Sequence, residues 1–194
     1  MPLFASRFEE VLFWVVFVSG VTMPVIVFGQ WTRRNAASVK TKPGKDVSTL
    51  TNFALIPMAV IAILLGYART WALPHWLFYP GLVFWLLGLA YTGWAYRTLG
   101  HFFSLDVQIQ NDHRVVDTGP YRLLRHPGYA GFSLGLLGLG VALQSWASLL
   151  VLLFATIAAL AYRIPIEEKF LVAELGDDYV QYMTNTKRIV PFVW

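Results

Sequence analysis

Residues 127–162 read PGYAGFSLGLLGLGVALQSWASLLVLLFATIAALAY, 36 positions without Asp, Glu, Lys, Arg or His. As a single helix this stretch would measure about 54 Å at 1.5 Å per residue, far beyond a hydrocarbon core of about 30 Å. It must fold back on itself. Gln144-Ser145-Trp146 is the polar break near its middle, which places a tight turn there between two short helices, 129–144 and 147–162. Each arm is only about 24 Å long, so either the bilayer thins or neighbouring helices shield the turn. The first arm carries Gly131, Gly135, Gly138 and Gly140, and small residues let two membrane helices approach closely. A nucleotide-loop reading of the same glycines fails, because no strand precedes them and no acidic residue follows at the required spacing.

Outward from this hairpin, three more stretches lack charge: 11–32, 47–68 and 76–96. An ionised side chain at the bilayer centre costs at least about 2.5 to 3.5 kcal/mol, so each reads as a span. The composition agrees: 57% of the 194 residues are hydrophobic and 13% charged, against roughly a quarter charged in soluble domains. The expected fold class is therefore all-α: one polytopic integral membrane domain over 1–194, with five transmembrane helices, the last two a tight hairpin. Pro24 and Pro57 fall inside the first two spans, where kinks are tolerated.

Five spans place the loops 33–46 and 97–126 and the C-terminal segment on one side. Thirteen of the 15 Lys and Arg residues then fall on that side, leaving Arg7 and Arg69 opposite. The positive-inside rule makes the basic side cytoplasmic and the N-terminus external. The membrane would be the cell membrane of a prokaryote or the endoplasmic reticulum of a eukaryote. The first span does not read as a signal peptide, because Glu9 and Glu10 precede it and no cleavage site follows.

The net charge of +4 thus sorts by membrane side and gives nucleic-acid binding no support. No cysteine is present, which excludes disulfides, thiolate metal sites and cysteine nucleophiles. His75, His101, His113 and His126 are scattered without metal-ligand spacing, so no metal is expected. Pro43-Gly44-Lys45 lacks the rest of a phosphate-binding loop. Tryptophans near the span ends read as interface anchors.

Polar chemistry gathers in 97–129 and 163–188. His126-Pro127 forces His126 out of the helical region and sets Pro127 at a favourable first helical position, so the fourth span starts abruptly. Its free N–H groups near Gly128 and Tyr129 form either an anion site or a contact with lipid headgroups; helix chemistry alone favours the second. Pro165 is expected to end or kink the fifth span and open a cytoplasmic helix with Glu167 and Glu168 in its first turn. Those acids either complement a helix dipole, with Arg163 snorkelling to the headgroups, or join a site: the hairpin returns Arg163 beside His126 and Tyr129, so a cation, two carboxylates, a histidine and a phenol converge at one membrane face.

The run Val115-Val116-Asp117-Thr118-Gly119-Pro120-Tyr121-Arg122-Leu123-Leu124-Arg125-His126-Pro127-Gly128-Tyr129, followed by the glycine-rich hairpin, Arg163 to Glu168, and Leu175-Gly176-Asp177-Asp178-Tyr179-Val180-Gln181-Tyr182, resembles the isoprenylcysteine carboxyl methyltransferase family over roughly the C-terminal half. The R-H-P-x-Y piece is also shared with membrane phospholipid methyltransferases and, more loosely, sterol reductases. The resemblance implies an enzyme that moves a methyl group from S-adenosylmethionine to the terminal carboxylate of a prenylated cysteine, a lipid-like substrate entering from the bilayer lipids. It implies cofactor contacts from Gln108, His113, Arg114, Val115, Val116, Tyr121, His126, Pro127, Gly128, Tyr129 and Glu167, with Arg163 at the substrate carboxylate.

S-adenosylmethionine carries a carboxylate, an ammonium, a sulfonium and an adenine. The start of the fourth span with His126 offers an anion cradle, Glu167 an acidic partner, and Tyr121 and Tyr129 aromatic walls. Two other readings remain. A phospholipid N-methyltransferase would need a base, for which Glu168 is the candidate; a non-catalytic membrane scaffold would bind no cofactor.

Overall fold

The computed structural model describes residues 3–35, 39–41, 47–104, 109–110 and 112–190, the side chains of 23–54 excepted. Five long helices run in order: α1 (Arg7–Asn35), α2 (Val47–Tyr67), α3 (Phe78–Leu99), α4 (Pro127–Ala142) and α5 (Trp146–Leu175), followed by the short α6 (Asp177–Asn185). The apolar stretches fall almost wholly within them, with 127–162 shared between α4 and α5. A helix satisfies its own backbone, which an apolar segment without polar neighbours requires. Two short strands qualify the all-α expectation: β1 (Val39–Thr41) pairs antiparallel with β2 (Ile109–Gln110), where loop residues that belong to no helix find backbone partners in one another.

The hairpin turns where the polar break lies, although its arms are shifted from 129–144 and 147–162. Helix α4 ends at Ala142, Gln144 adopts φ +52, and Ser145 caps α5 by accepting a hydrogen bond from Ser148 N. Gln144 is buried, not solvated. Its Nε2 donates to Leu3 O (3.2 Å), and its Oε1 faces His75 Nδ1 (2.9 Å). His75 Nε2 in turn lies 3.1 Å from Glu9 Oε1, which also accepts from Tyr79 OH. This network ties the N-terminal segment, the α2–α3 connection and the hairpin turn together.

The glycines of α4 face two partners. A Cβ on Gly131 would lie 2.6 Å from Thr92 Oγ1 and 2.8 Å from Gly88 O, and one on Gly138 would meet Gly81 O at 2.8 Å, all on α3. Gly140 instead abuts α5, its Cβ position 2.9 Å from Leu149 Cα. The helix α4 is thus pressed backbone to backbone against α3. Phe4, Phe13, Phe78, Trp85, Leu139, Leu143 and Leu152 fill the core beside this seam. Large apolar side chains such as Val15, Val83, Leu87, Phe154 and Ile157 point outward and are exposed.

Pro165 neither ends α5 nor opens a new helix, which corrects the expectation above. The helix runs through it for 30 residues and stops at Gly176, whose φ of +61 reverses the chain into α6. Proline removes one N–H and crowds the preceding turn, but side-chain ties on both sides of it hold α5: Arg163 binds Tyr129, and Glu168 binds Arg125.

Candidate active site

A cavity of about 290 Å³ opens where the N-terminus of α4, the C-terminal half of α5, residues 99–104 and 113–126, and α6 meet. His113, Arg114, Val115, Val116, Tyr121, His126, Gly128, Tyr129, Arg163 and Glu167 all line it. Of the other residues expected at the site, Pro127 is fully buried at the first position of α4 and is not among the lining residues, and Gln108 lies outside the described residues.

Local sequence explains how each wall is set. Gly119 takes φ +57 in a short 3-10 turn, over which Tyr121 N donates to Thr118 O. That turn buries Tyr121, and burial raises its phenol well above the usual value, so it stays neutral. Burial also lowers the His113 imidazole, whose ring packs on Phe102 at 4.7 Å between centroids. His126, pushed out of helical geometry by Pro127, has φ −125 and stacks on Tyr129 at 5.4 Å and 12°. Gly128 admits Tyr96, whose Cε1 lies 2.6 Å from where a Cβ would stand.

At the centre, Arg163 Nε donates to Tyr129 Oη (2.6 Å), and Tyr129 OH donates to Glu167 Oε2 (2.5 Å). Arg163 Nε and Glu167 Oε2 are 3.9 Å apart, and His126 Nδ1 is 3.9 Å from Glu167 Oε1. The cation, acid, phenol and histidine that the hairpin was expected to converge are in one place.

Glu168 serves a different purpose. It is 4% exposed and accepts from Arg125 Nε (2.7 Å) and from Arg188 Nε and Nη2 (3.0 and 2.9 Å), with His126 Nε2 at 3.5 Å. With its oxygens occupied by guanidiniums, and no place among the lining residues, it does not fit the base considered for amine methylation. It anchors a clasp instead. Arg125 Nη1 also donates to Met183 O and Thr186 O, and residues 123–126 exchange backbone hydrogen bonds with 187–188. The clasp holds α6 over the cavity, where Tyr179 and Tyr182 complete the wall and Tyr182 OH donates to Tyr121 O.

Removing one charge from a buried, paired cluster leaves its partners uncompensated and is strongly destabilising. Glu168→Gln is therefore expected to melt lower than wild type in detergent at neutral pH; a variant that melts with wild type would remove Glu168 as the anchor.

Cavity-lining residues that the sequence did not assign to the site include Tyr96, Phe103, Arg125, Tyr179 and Tyr182. The i,i+3 spacing of Tyr179 and Tyr182 on an otherwise polar segment was a usable signal, since both bury one face of α6. Arg125 stood in the R-H-P-x-Y piece, but nothing in the sequence marked its bond to Glu168, 43 positions away.

The fold is an apolar helical bundle with a charged cavity at one end. Residues 81–173 match the family model described as the isoprenylcysteine carboxyl methyltransferase (ICMT) family. The chain is 29% identical over 164 residues to a probable protein-S-isoprenylcysteine O-methyltransferase of Oryza sativa subsp. indica, covering 83% of this chain and 84% of that one. It is 31% identical over 138 residues to protein-S-isoprenylcysteine O-methyltransferase B of Arabidopsis thaliana, covering 70% and 68%. The solved structure of the eukaryotic intramembrane Ras methyltransferase ICMT superposes with a TM-score of 0.59 at 27% identity, over 75% of this chain and 52% of that chain. The protein belongs to the isoprenylcysteine carboxyl methyltransferase family.

Proposed function

We propose that this chain is an S-adenosylmethionine-dependent methyltransferase that esterifies the carboxylate of a prenylated cysteine, or a similar lipid-anchored carboxylate, at the cytoplasmic membrane interface. The observation that carries this reading is the Arg163–Tyr129–Glu167 arrangement inside one cavity. His113 Nδ1, on a cavity-lining residue, is buried without a hydrogen-bond partner among the described residues. Buried polar atoms seldom go unpaired, so such an atom suits a polar ligand. The donor set fits the cofactor: the N–H groups at the start of α4 take a carboxylate, Glu167 an ammonium, and Tyr121 and Tyr129 the flat or cationic parts.

S-adenosylmethionine, when bound, supplies a methyl group activated by its sulfonium. The chain's task is alignment and exclusion of water. Arg163 orients the substrate carboxylate, which with an α-carboxyl pKa near about 3.5 is already ionised at neutral pH, so no residue is needed as base. Leu55, Phe132 and Leu160 line the same cavity and give an apolar chain a place beside the charged end. Good alignment of two reactants contributes on the order of 7 to 11 kcal/mol.

In this reading the chain is one membrane domain crossing five times, its basic loops and cavity on the cytoplasmic face and its N-terminus outside. Among the described residues, His75–Phe102 and Trp146–Leu175 are long and apolar enough to cross, while Leu55–Tyr67 and Pro127–Ala142 are shorter apolar helices. Exposed aliphatic and aromatic side chains on these helices supply a lipid-facing surface.

Purified protein given S-adenosylmethionine and N-acetyl-S-farnesylcysteine is expected to form the methyl ester. In calorimetry with S-adenosylhomocysteine, Glu167→Ala and His126→Ala are each expected to weaken binding about 10- to 100-fold, the worth of a hydrogen bond to a charged group. Absence of both ester and binding would sink the reading.

A further inference from the structure

A second polar cluster lies at the other end of α4 from the cavity, about 24 Å away along the helix. His75 opens a short 3-10 turn (His75–Leu77), and its ring meets an acceptor on each side. Nδ1 lies 2.9 Å from Gln144 Oε1 and Nε2 lies 3.1 Å from Glu9 Oε1. The Gln144 amide is oriented by its other atom: Nε2 donates to Leu3 O (3.2 Å), and a turned amide would set two carbonyl oxygens against each other. Both Glu9 oxygens act as acceptors, Oε1 from Tyr79 OH (3.0 Å) and Oε2 from Ala5 N (2.8 Å). A neutral imidazole has one N–H and satisfies one acceptor; the imidazolium has two and satisfies both.

We infer that His75 and Gln144 form a proton-operated latch for the N-terminal segment. With both ring nitrogens protonated, Gln144 accepts from Nδ1 and gives its own N–H to Leu3 O. When Nδ1 releases its proton to solvent, Nε2 keeps the other against the carboxylate, the amide must turn its NH2 toward the ring, and Leu3 O loses its donor. The His75 side chain is 41% exposed, so solvent reaches it, whereas Glu9 is 6% exposed. What the latch fastens is part of the core: Leu3 and Phe4 are buried, and Phe4 packs on Phe13, Tyr67 and Phe78. Among the described residues, the titratable groups facing the cluster are Glu9 from α1 and Tyr79 from α3; the hairpin turn brings only the uncharged Gln144, and Tyr67 of α2 accepts from Trp14 instead. In the topology proposed above this end faces outside, so the latch reads proton concentration on the side away from methyl transfer.

Hydrogen exchange of the N-terminal peptide, followed by mass spectrometry on the purified full-length protein in detergent and corrected for the intrinsic pH dependence of exchange, reads the latch. Between about pH 5.5 and about pH 8.5 an ordinary carboxyl stays charged and an ordinary phenol neutral, while an ordinary imidazole changes state. The amides of residues 3–6, among them Ala5 N on Glu9, are expected to exchange about tenfold faster at the upper pH, the effect of leaving one buried acceptor without its donor. The other three histidines do not enter this local readout, because His113 and His126 line the cavity at the far end and His101 packs on its lining residue Phe102.

His75→Gln is expected to abolish the difference, since an amide has no proton to lose in this range. Gln144→Met is expected to leave the segment exchanging fast at both pH values, since Leu3 O then has no donor at either. Equal protection of the wild-type segment at the two pH values would overturn the inference, as would a difference that survives in either variant. The wild-type comparison needs no substitution, so a variant that fails to fold, judged by its melting temperature, leaves that comparison decisive. Methyl transfer is not part of the readout, and the latch stands or falls separately from the proposed activity.

Discussion

Arg163→Ala is expected to lower methyl transfer to a prenylcysteine by at least about 100-fold while changing S-adenosylhomocysteine affinity by less than about threefold, since a bidentate charged hydrogen bond and the alignment it imposes are lost together. Arg163 is 8% exposed, lines the cavity and is oriented through Nε by Tyr129, so its position is set before any ligand arrives. Glu167 and the start of α4, assigned to the cofactor, remain in place without it. Tyr129 still donates to Glu167. Arg163→Lys is expected to recover only part of the rate, because an ammonium keeps the charge but cannot hold Tyr129 with one nitrogen while presenting a planar fork to a carboxylate. Initial rates at saturating methyl donor, set beside calorimetry on the same preparations, give the answer. An Arg163→Ala enzyme with wild-type turnover, or one that loses cofactor binding as severely as Glu167→Ala, would reverse the assignment.

The largest stability effect is expected from Gly131→Leu. Even the first added carbon would meet Thr92 Oγ1 at 2.6 Å, Thr92 N at 2.7 Å and Gly88 O at 2.8 Å. Two of these are backbone atoms of α3 and cannot swing aside as a flexible side-chain end would. Overpacking typically costs about 1 to 3 kcal/mol and sometimes more, and this site has neither a soft neighbour nor spare volume. A drop in melting temperature of about 6 to 12 °C follows if roughly 3 kcal/mol is lost from a chain of this size. Gly93→Ala is the matched control on the facing helix: nothing lies within 4 Å of its Cβ position, and removing a helical glycine there is expected to be neutral or stabilising by about 0.4 to 1 kcal/mol. Similar melting temperatures for Gly131→Leu and wild type would mean that the seam between α3 and α4 is not as tight as described. Because Gly128 and Tyr129 follow from the same helix end, loss of the seam is also expected to carry cofactor binding away with it.

These two residues show where local reading succeeds and where it stops. Charge alone marked the apolar helices, since an ionised group is excluded from a lipid-facing stretch wherever the chain happens to pack. Length alone required the hairpin, and the polar residues at 144–146 located its turn to within two residues. The glycine run announced a close helix contact but could not name the partner: Gly131 and Gly138 turn to α3, and Gly140 turns to α5. Pro165 misled, because proline's local preference to break a helix is real and was overridden by bonds to α4 and to the loop before it.

The amino-acid order by itself determined which segments are apolar helices, where the chain reverses, and which charged and aromatic side chains were available to a site, because those properties depend on composition and on neighbours within a turn or two. The tertiary structure decided who pairs with whom. Glu168 became the anchor of a clasp rather than a base through Arg125, 43 positions away, and Arg188, 20 away. Tyr129 came to stand between Arg163 and Glu167 across 34 and 38 positions. Partnerships at such separations leave no periodicity in a sequence, since they arise only when packed helices bring distant side chains within a few ångströms.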